Sequence, residues 1–144
     1  MKRYVKLFAL ICVLSAFVGV AYSADEKEKA ATEAATQWLT LTDSRQYAES
    51  WFQASSAFRG AVSKEQWKNA LDTARTSLGK VESRQLKSAT YTTTLPNAPS
   101  GEYVILQYET SFENAPHMIE TVTPMLEKNG TWKVSGYYVK RPGQ

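Results

Sequence analysis

Residues 63–92, SKEQWKNALDTARTSLGKVESRQLKSATYT, contain the change of pattern that decides the fold. The first four residues have the spacing of a capping box at a helix start, and Val62 and Trp67 occupy the two positions of a hydrophobic staple. Apolar residues then recur with the helical period until Gly79, a residue typical of a helix end. After Gly79 the period falls to that of a strand. The stretch therefore predicts a helix followed directly by a β-strand.

Two more helices are predicted before this one. Alanines together with Trp38 and Leu39 recur at helical spacing and predict a helix over residues 26–40. Asp43 and Gln46 have the spacing of another capping box, so a second helix is expected from there to about residue 54.

Four strands are predicted after Gly79, over residues 81–95, 103–112, 117–127 and 131–140. In the first of them the alternation slips between Leu86 and Ala89, as a β-bulge would produce. Short turns join the later strands, so an antiparallel meander is expected. The predicted fold class is α+β, with three N-terminal helices packed on a curved four-stranded antiparallel sheet.

The loop Lys128-Asn129-Gly130 sets the register of the last two strands. A three-residue hairpin loop with glycine in the left-handed position pairs Glu127 with Thr131. Carried along both strands, this register also predicts the pairs Leu126–Trp132, Pro124–Val134, Val122–Gly136 and Glu120–Tyr138. A two-residue loop would mix apolar and polar residues on each face, so we reject it. Because Pro124 cannot donate to a ladder, a bulge is expected there.

Residues 1–23 have the pattern of a cleavable secretory signal peptide. Three basic residues precede an apolar run over residues 7–20, which is shorter than the ~20 residues that a membrane-spanning helix needs. Small residues, Ala21 and Ser23, stand at the −3 and −1 positions for cleavage after Ser23. We therefore predict a periplasmic or secreted protein with a single mature domain over residues 24–144; an uncleaved N-terminal anchor is the alternative.

Charge and cysteine content limit the kinds of function. The chain has 17 Lys and Arg against 14 Asp and Glu, but three basic residues belong to the predicted signal peptide, which leaves 14 against 14. This balance argues against a partner that is nucleic acid or an anionic membrane. The single cysteine, Cys12, follows Ile11, where a lipoprotein needs a small residue. No lipid anchor is therefore predicted, and the mature domain has no thiol for a disulfide, a nucleophile or a metal site.

The mature chain resembles a family of bacterial exported proteins known as domain of unknown function 4019. The resemblance covers nearly all of the mature domain and is carried by these stretches: Trp38-Leu39, Tyr47-Ala48-Glu49-Ser50-Trp51, Phe58-Arg59, residues 62–67, Ser88-Ala89-Thr90-Tyr91, Gly101-Glu102-Tyr103-Val104, residues 120–125 and residues 132–138. It implies no activity and no catalytic set. The order of elements also resembles the cone-shaped fold of the nuclear-transport-factor-2-like group, in the same broad class as the cystatins. Residues 55–62, however, are too short for the hairpin that this group places between its second and third helices.

Four side chains are predicted to converge on the helix-facing side of the sheet, namely Tyr108, Thr110, Glu120 and Tyr138. The hairpin register places Glu120 opposite Tyr138, and pairing of the second and third strands at Thr110 and Glu120 would complete the group. A carboxylate among phenols suits a general base, for which Glu120 is the weak candidate, or a polar patch that orients a ligand. The alternative is that Glu120 is solvated at the sheet rim and the tyrosines only pack. Because His117 is the one histidine, neither a metal site nor a cofactor is predicted.

These observations favour an exported, non-catalytic domain that binds a small apolar ligand or a protein partner, with homodimerisation possible. One alternative is a small cone-fold isomerase or hydrolase that uses Glu120 with tyrosines. Another is a structural or assembly factor that acts through a sheet edge. A cavity of ~300 Å³ or more between helices and sheet is the observation that would favour ligand binding.

Overall fold

The computed structural model describes residues 21–144, which form four helices and four strands. The helices are α1 (Ala24–Asp43), α2 (Tyr47–Gln53), α3 (Ser56–Ala61) and α4 (Lys64–Leu78), and the strands are β1 (Val81–Thr92), β2 (Tyr103–Phe112), β3 (Ala115–Leu126) and β4 (Trp132–Lys140). The strands form an antiparallel sheet in the order β1-β2-β3-β4. The α+β class and the four-stranded meander are therefore confirmed. Most of the predicted signal peptide, including Cys12, lies outside the described residues.

The predicted number of three helices was wrong, because the segment between α1 and α4 holds two short helices. Ser55 caps α3 by accepting a hydrogen bond from the backbone N–H of Phe58 at 3.0 Å. The predicted capping box of α2 was also wrong. Gln46 makes no side-chain capping bond there, and the Asp43 carboxylate accepts hydrogen bonds from arginines instead.

The start and end of α4 are as the sequence predicts. Ser63 Oγ accepts a hydrogen bond from Gln66 N at 3.2 Å, and Gln66 Oε1 accepts one from Ser63 N at 3.0 Å. These two bonds satisfy helix N–H groups that otherwise lack a partner. At the other end Gly79 adopts φ +80° and stops the helix.

All three strand pairs contain a register shift, and two of these shifts bear on the predicted strands. The β1–β2 register shifts between Leu86 and Ser88, which confirms the predicted slip in this strand. In the β3–β4 pair, Pro124 lies opposite Val134 as expected, but Thr123, the residue before it, lies opposite Gly136. Ser135 is therefore an extra residue in β4, at the step where proline has no N–H to donate.

This extra residue makes part of the predicted β3–β4 register wrong. Beyond it, Val122 lies opposite Tyr137 and Glu120 lies opposite Val139. Neither pairs as predicted, because the register was carried unchanged past the bulge. Side chains alternate between the two faces of a strand. A one-residue shift in β4 therefore turns Tyr137, and not Tyr138, toward the helices.

Helix α1 lies across one face of the sheet and contacts all four strands. Ala31 and Ala35 are fully buried, and their small side chains let the helix approach the sheet closely. Trp38 follows on the same side of α1 and packs against Trp67 of α4 and Tyr137 of β4, with ring centroids 5.8 Å and 5.5 Å away. Within residues 21–144, no helix combines the length and apolar character needed to cross a membrane.

Candidate functional site

Glu120 of β3 is buried beneath the helices, with no exposed surface. Its Oε1 accepts hydrogen bonds from Arg84 Nε at 2.7 Å and from Thr110 Oγ1 at 2.5 Å. Its Oε2 accepts one from the Tyr137 hydroxyl at 2.5 Å. The interpretation of Glu120 as a solvated residue at the sheet rim is therefore wrong, since both carboxylate oxygens are bonded inside the protein.

Thr110 contacts Glu120, although the pairing that led us to expect this contact is wrong. In the β2–β3 ladder Glu120 lies opposite Tyr108, and Thr110 lies opposite Met118. Thr110 reaches the carboxylate diagonally, on the same face of the sheet. Tyr108 is buried on that face as predicted.

Tyr138 does not join the group. It lies on the other face of the sheet and is 51% exposed, because Ser135 shifts the register of β4. Tyr137 takes its position beside Glu120. Of the four predicted site residues, the structure thus brings together Tyr108, Thr110 and Glu120 but not Tyr138.

Two arginines complete the cluster, and the sequence analysis missed both. Arg84 of β1 bonds Glu120 and also donates to both oxygens of Asp43, at 2.7 Å and 2.9 Å. Arg75 of α4 donates to Asp43 Oδ1 at 2.9 Å and to Thr42 Oγ1 at 3.0 Å, and its Nη2 lies 3.6 Å from Glu120 Oε2. Two carboxylates and two guanidinium groups therefore join α1, α4, β1 and β3. We call Asp43, Arg75, Arg84 and Glu120 the ion-pair cluster.

A signal for Arg75 is present in the sequence. Trp67, Leu71 and Arg75 follow one another at four-residue spacing, which places the arginine on the buried stripe of α4. Arg84 lies opposite Thr110 in the β1–β2 ladder. Once the register of β1 is known, this pairing places Arg84 on the same face as Thr110, which is the helix-facing side.

The surroundings shift the pKa values of Asp43, Arg84 and Tyr137. Burial raises the pKa of Asp43, but the hydrogen bonds and charges of Arg84 and Arg75 outweigh it and hold the pKa below its usual value. The pKa of Arg84 is raised by its two carboxylates although burial opposes this. Burial, followed by the charge of Glu120, raises the pKa of Tyr137. Tyr137 therefore remains a protonated donor, and Asp43 and Arg84 remain ionised, near neutral pH.

This geometry leaves Glu120 without an open face toward solvent. A general base must reach the proton that it removes, directly or through one water. Glu120 has no exposed surface, and its oxygens already accept from Arg84, Thr110 and Tyr137. It also lines none of the clefts described next.

Two adjoining clefts run along α1 and share Trp132. The larger, of about 490 Å³, lies between the start of α1 and the β3–β4 hairpin and is lined by Tyr22, Glu26, Lys27, Ala30, Leu126, Gly130 and Trp132. The second, of about 320 Å³, lies between α1, α2 and the start of β4. Its walls are partly apolar and partly polar, with Ala34, Trp38, Leu41, Trp132 and Val134 beside Gln37, Glu49, Gln53 and Lys133. A third cleft, of about 380 Å³, is lined by residues of α4, β3 and β4, among them Ala70, Ala74 and Val139.

An ion pair ties the start of α1 to the sheet beside the larger cleft. Lys27 Nζ contacts the Glu102 carboxylate and donates to the Tyr91 hydroxyl at 3.2 Å, and Tyr91 donates to Glu102 at 2.5 Å. The hydrogen bonds from Lys27 and then Tyr91 lower the pKa of Glu102. The charge of Lys27 is therefore already matched by a protein carboxylate.

Residues 34–137 match the family described as "Protein of unknown function (DUF4019)". The chain belongs to this family. The matched region of the DUF4019 domain runs from the middle of α1 into β4, so it contains the complete ion-pair cluster and Tyr137. No curated protein and no solved structure showed a match to the chain.

Metal ligands are sparse in the described part of the DUF4019 domain. Within residues 21–144, no three His, Cys, Asp or Glu side chains group in a way that could hold a metal ion. His117 is exposed near the start of β3, with Nδ1 3.1 Å from Glu109 Oε1.

Proposed function

We propose that this chain is an exported, non-catalytic domain that binds a small apolar ligand in the two clefts along α1. One observation carries the proposal: clefts of about 490 Å³ (with Tyr22 in place) and 320 Å³ adjoin at Trp132, between the helices and the sheet, and cleavage after Ser23 would remove only Tyr22 from their walls. Both volumes reach the ~300 Å³ at which pockets for small molecules begin.

The residues that line the larger cleft favour an apolar ligand. Ala30 has a small side chain and Gly130 has none, which leaves room between α1 and the hairpin. Leu126 and Trp132 supply apolar walls. The nearby ammonium group of Lys27 is paired with a carboxylate, so it offers little to a charged ligand.

The geometry of Glu120 favours binding over catalysis. A catalytic carboxylate would be expected to open onto a cleft that can take a substrate. Here the buried carboxylate bonds Arg84, Thr110 and Tyr137, while the clefts lie elsewhere. A ligand-binding role needs only the clefts.

A fluorescent apolar probe, N-phenyl-1-naphthylamine, tests the binding proposal. We expect saturable probe fluorescence with the processed protein, and its loss in Ala30→Trp, where the new indole fills the larger cleft. The matched control is Ala74→Trp, which fills the cleft beside α4 and should leave probe binding unchanged. Absence of probe binding, or its loss only in Ala74→Trp, would overturn the proposal.

Export is supported by the charged, apolar and small-residue order of residues 1–23. Helix α1 begins at Ala24, so cleavage after Ser23 would leave all helices and strands in the mature chain, while it would remove Ser23, which caps α1, and Tyr22, which lines the larger cleft. Mass spectrometry of protein recovered from the periplasm or medium should give a chain that begins at Ala24. Full-length chain in the membrane fraction would contradict export.

A distant relation to the cone-shaped nuclear-transport-factor-2-like fold is also a proposal. It is supported by the packing of the helices on one face of an antiparallel meander. Helix α3 occupies the position at which that group has a strand or hairpin.

A further inference from the structure

A small cavity of about 30 Å³ lies where the end of α1, the start of α2 and the end of α4 meet. Tyr47 and Arg75 line it and are only 6% and 4% exposed. The Tyr47 hydroxyl and Arg75 Nε are both buried, and neither has a hydrogen-bond partner among residues 21–144. Two buried polar atoms without a protein partner in the described part of the chain therefore belong to residues of different helices that line the same cavity.

Both atoms are hydrogen-bond donors. The N–H at Nε of arginine can only donate, and a protonated tyrosine hydroxyl can donate as well. Burial raises the pKa of Tyr47, although the charges of Arg45 and Arg75 oppose this. The hydroxyl therefore stays protonated near neutral pH. Since buried donors without an acceptor are costly, the pair calls for an acceptor in the cavity.

The charges around the cavity favour an acceptor that is negative. Arg45, Arg75 and Lys80 line it, together with one carboxylate, Asp43. Both oxygens of Asp43 already accept hydrogen bonds from Arg84, and Oδ1 also accepts one from Arg75.

Two other carboxylates lie near the cavity without lining it. The charge of Asp72 acts on Tyr47, and the Glu113 side chain lies beside Gly79. Neither is among the residues that line the cavity. The groups at the cavity wall are therefore mainly cations and donors.

We propose that this cavity binds one small inorganic anion of halide size, held by the Tyr47 hydroxyl and Arg75 Nε. The volume of about 30 Å³ has room for a single species of about the size of a water molecule, which excludes a larger organic anion. The cavity shares no lining residue with the two clefts along α1. The anion proposal is therefore independent of apolar ligand binding.

The test compares chloride with gluconate at equal ionic strength. Thermal unfolding of the processed protein should show a saturable rise in Tm with chloride and no such rise with gluconate, which is too large for the cavity. Tyr47→Phe removes one donor and should weaken the apparent chloride affinity about tenfold or more, since a hydrogen bond to a charged group is lost. Tyr108→Phe, which removes another buried phenol hydroxyl outside the cavity, should leave the chloride effect unchanged.

Crystals of the same protein soaked in bromide give a second measurement that needs no variant. We expect an anomalous peak within hydrogen-bond distance of Tyr47 Oη and Arg75 Nε. A water molecule there without anomalous signal, an equal effect of gluconate, or an undiminished chloride effect in Tyr47→Phe would each overturn the proposal.

Discussion

The Tyr137 hydroxyl donates a hydrogen bond to Glu120 Oε2 at 2.5 Å, although the two residues are not opposite each other in the β3–β4 ladder. The extra residue Ser135 turns Tyr137 toward the helices, where it also accepts a hydrogen bond from Arg75 at 3.0 Å. The phenol thus links the edge strand β4 to the ion-pair cluster. This bulge determines the orientation of a residue that binds the buried carboxylate.

Removal of the Tyr137 hydroxyl should destabilise the fold. Tyr137→Phe leaves Glu120 Oε2 without one donor and Arg75 Nη2 without one acceptor, so we expect a cost of about 1–3 kcal/mol. Tyr138→Phe alters a half-exposed hydroxyl on the other face and should cost no more than about 0.5 kcal/mol. Urea unfolding of both variants measures the difference, and equal midpoints would contradict the role of the phenol.

Loss of the Glu120 charge should cost more than loss of one hydrogen bond. Glu120→Gln leaves Arg75 and Arg84 with only Asp43 as a charged partner, and breaking a buried ion pair in this way typically costs about 3–5 kcal/mol. Glu109→Gln on the exposed face of β2 is the control, with an expected change within about 0.5 kcal/mol.

A double-mutant cycle separates the interaction energy between Glu120 and Arg84 from the other effects of each substitution on stability. If Glu120 and Arg84 stabilise each other, the cost of Glu120→Gln with Arg84→Met should be smaller than the sum of the two single costs. Additive costs in denaturant unfolding would show that the two residues act independently.

Acid should weaken the fold through Asp43. Arg84 and Arg75 hold its pKa in the folded protein below the value in the unfolded chain, so the unfolded chain binds the proton first. The stabilisation by Asp43 is complete above the unfolded pKa of about 3.9 and is lost as pH falls through the lower folded value. Asp43→Asn should therefore be less stable than the natural chain at pH 6, with the difference shrinking below about pH 4. A difference that stayed constant with pH would contradict this linkage.

The sequence predicted those parts of the fold that local chemistry determines. The capping box at Ser63 and the stop at Gly79 act within a few residues, so α4 was predicted correctly. The hairpin loop likewise fixed the register as far as Pro124. Helix α3 was missed, because its cap at Ser55 precedes a segment too short to show an apolar period.

The site was predicted less well because its contacts are long-range. The choice between Tyr137 and Tyr138 depends on which strand of a pair carries the extra residue, and Pro124 indicates only that a bulge is needed there. Arg84 meets Asp43 and Glu120 only after β1 and α1 have packed together. A buried acid in a predicted strand gives no local sign of the cations that will neutralise it.

Gly79 should be far less tolerant of substitution than Gly130, although both have positive φ, +80° and +84°. Gly79 has ψ −163°, a backbone region that only glycine enters readily and that costs other residues about 1–3 kcal/mol. An added Cβ would also lie 2.9 Å from Glu113 Cβ, because the β2–β3 turn docks on the end of α4, where Asn114 N donates to Leu78 O at 2.9 Å.

At Gly130 nothing lies within 4 Å of an added Cβ, so the backbone strain is the main cost. We expect Gly79→Ala to cost about 3 kcal/mol or more and Gly130→Ala about 1 kcal/mol in urea unfolding. Similar losses in the two variants would contradict the extra cost expected at Gly79 from its ψ and from the contact with Glu113.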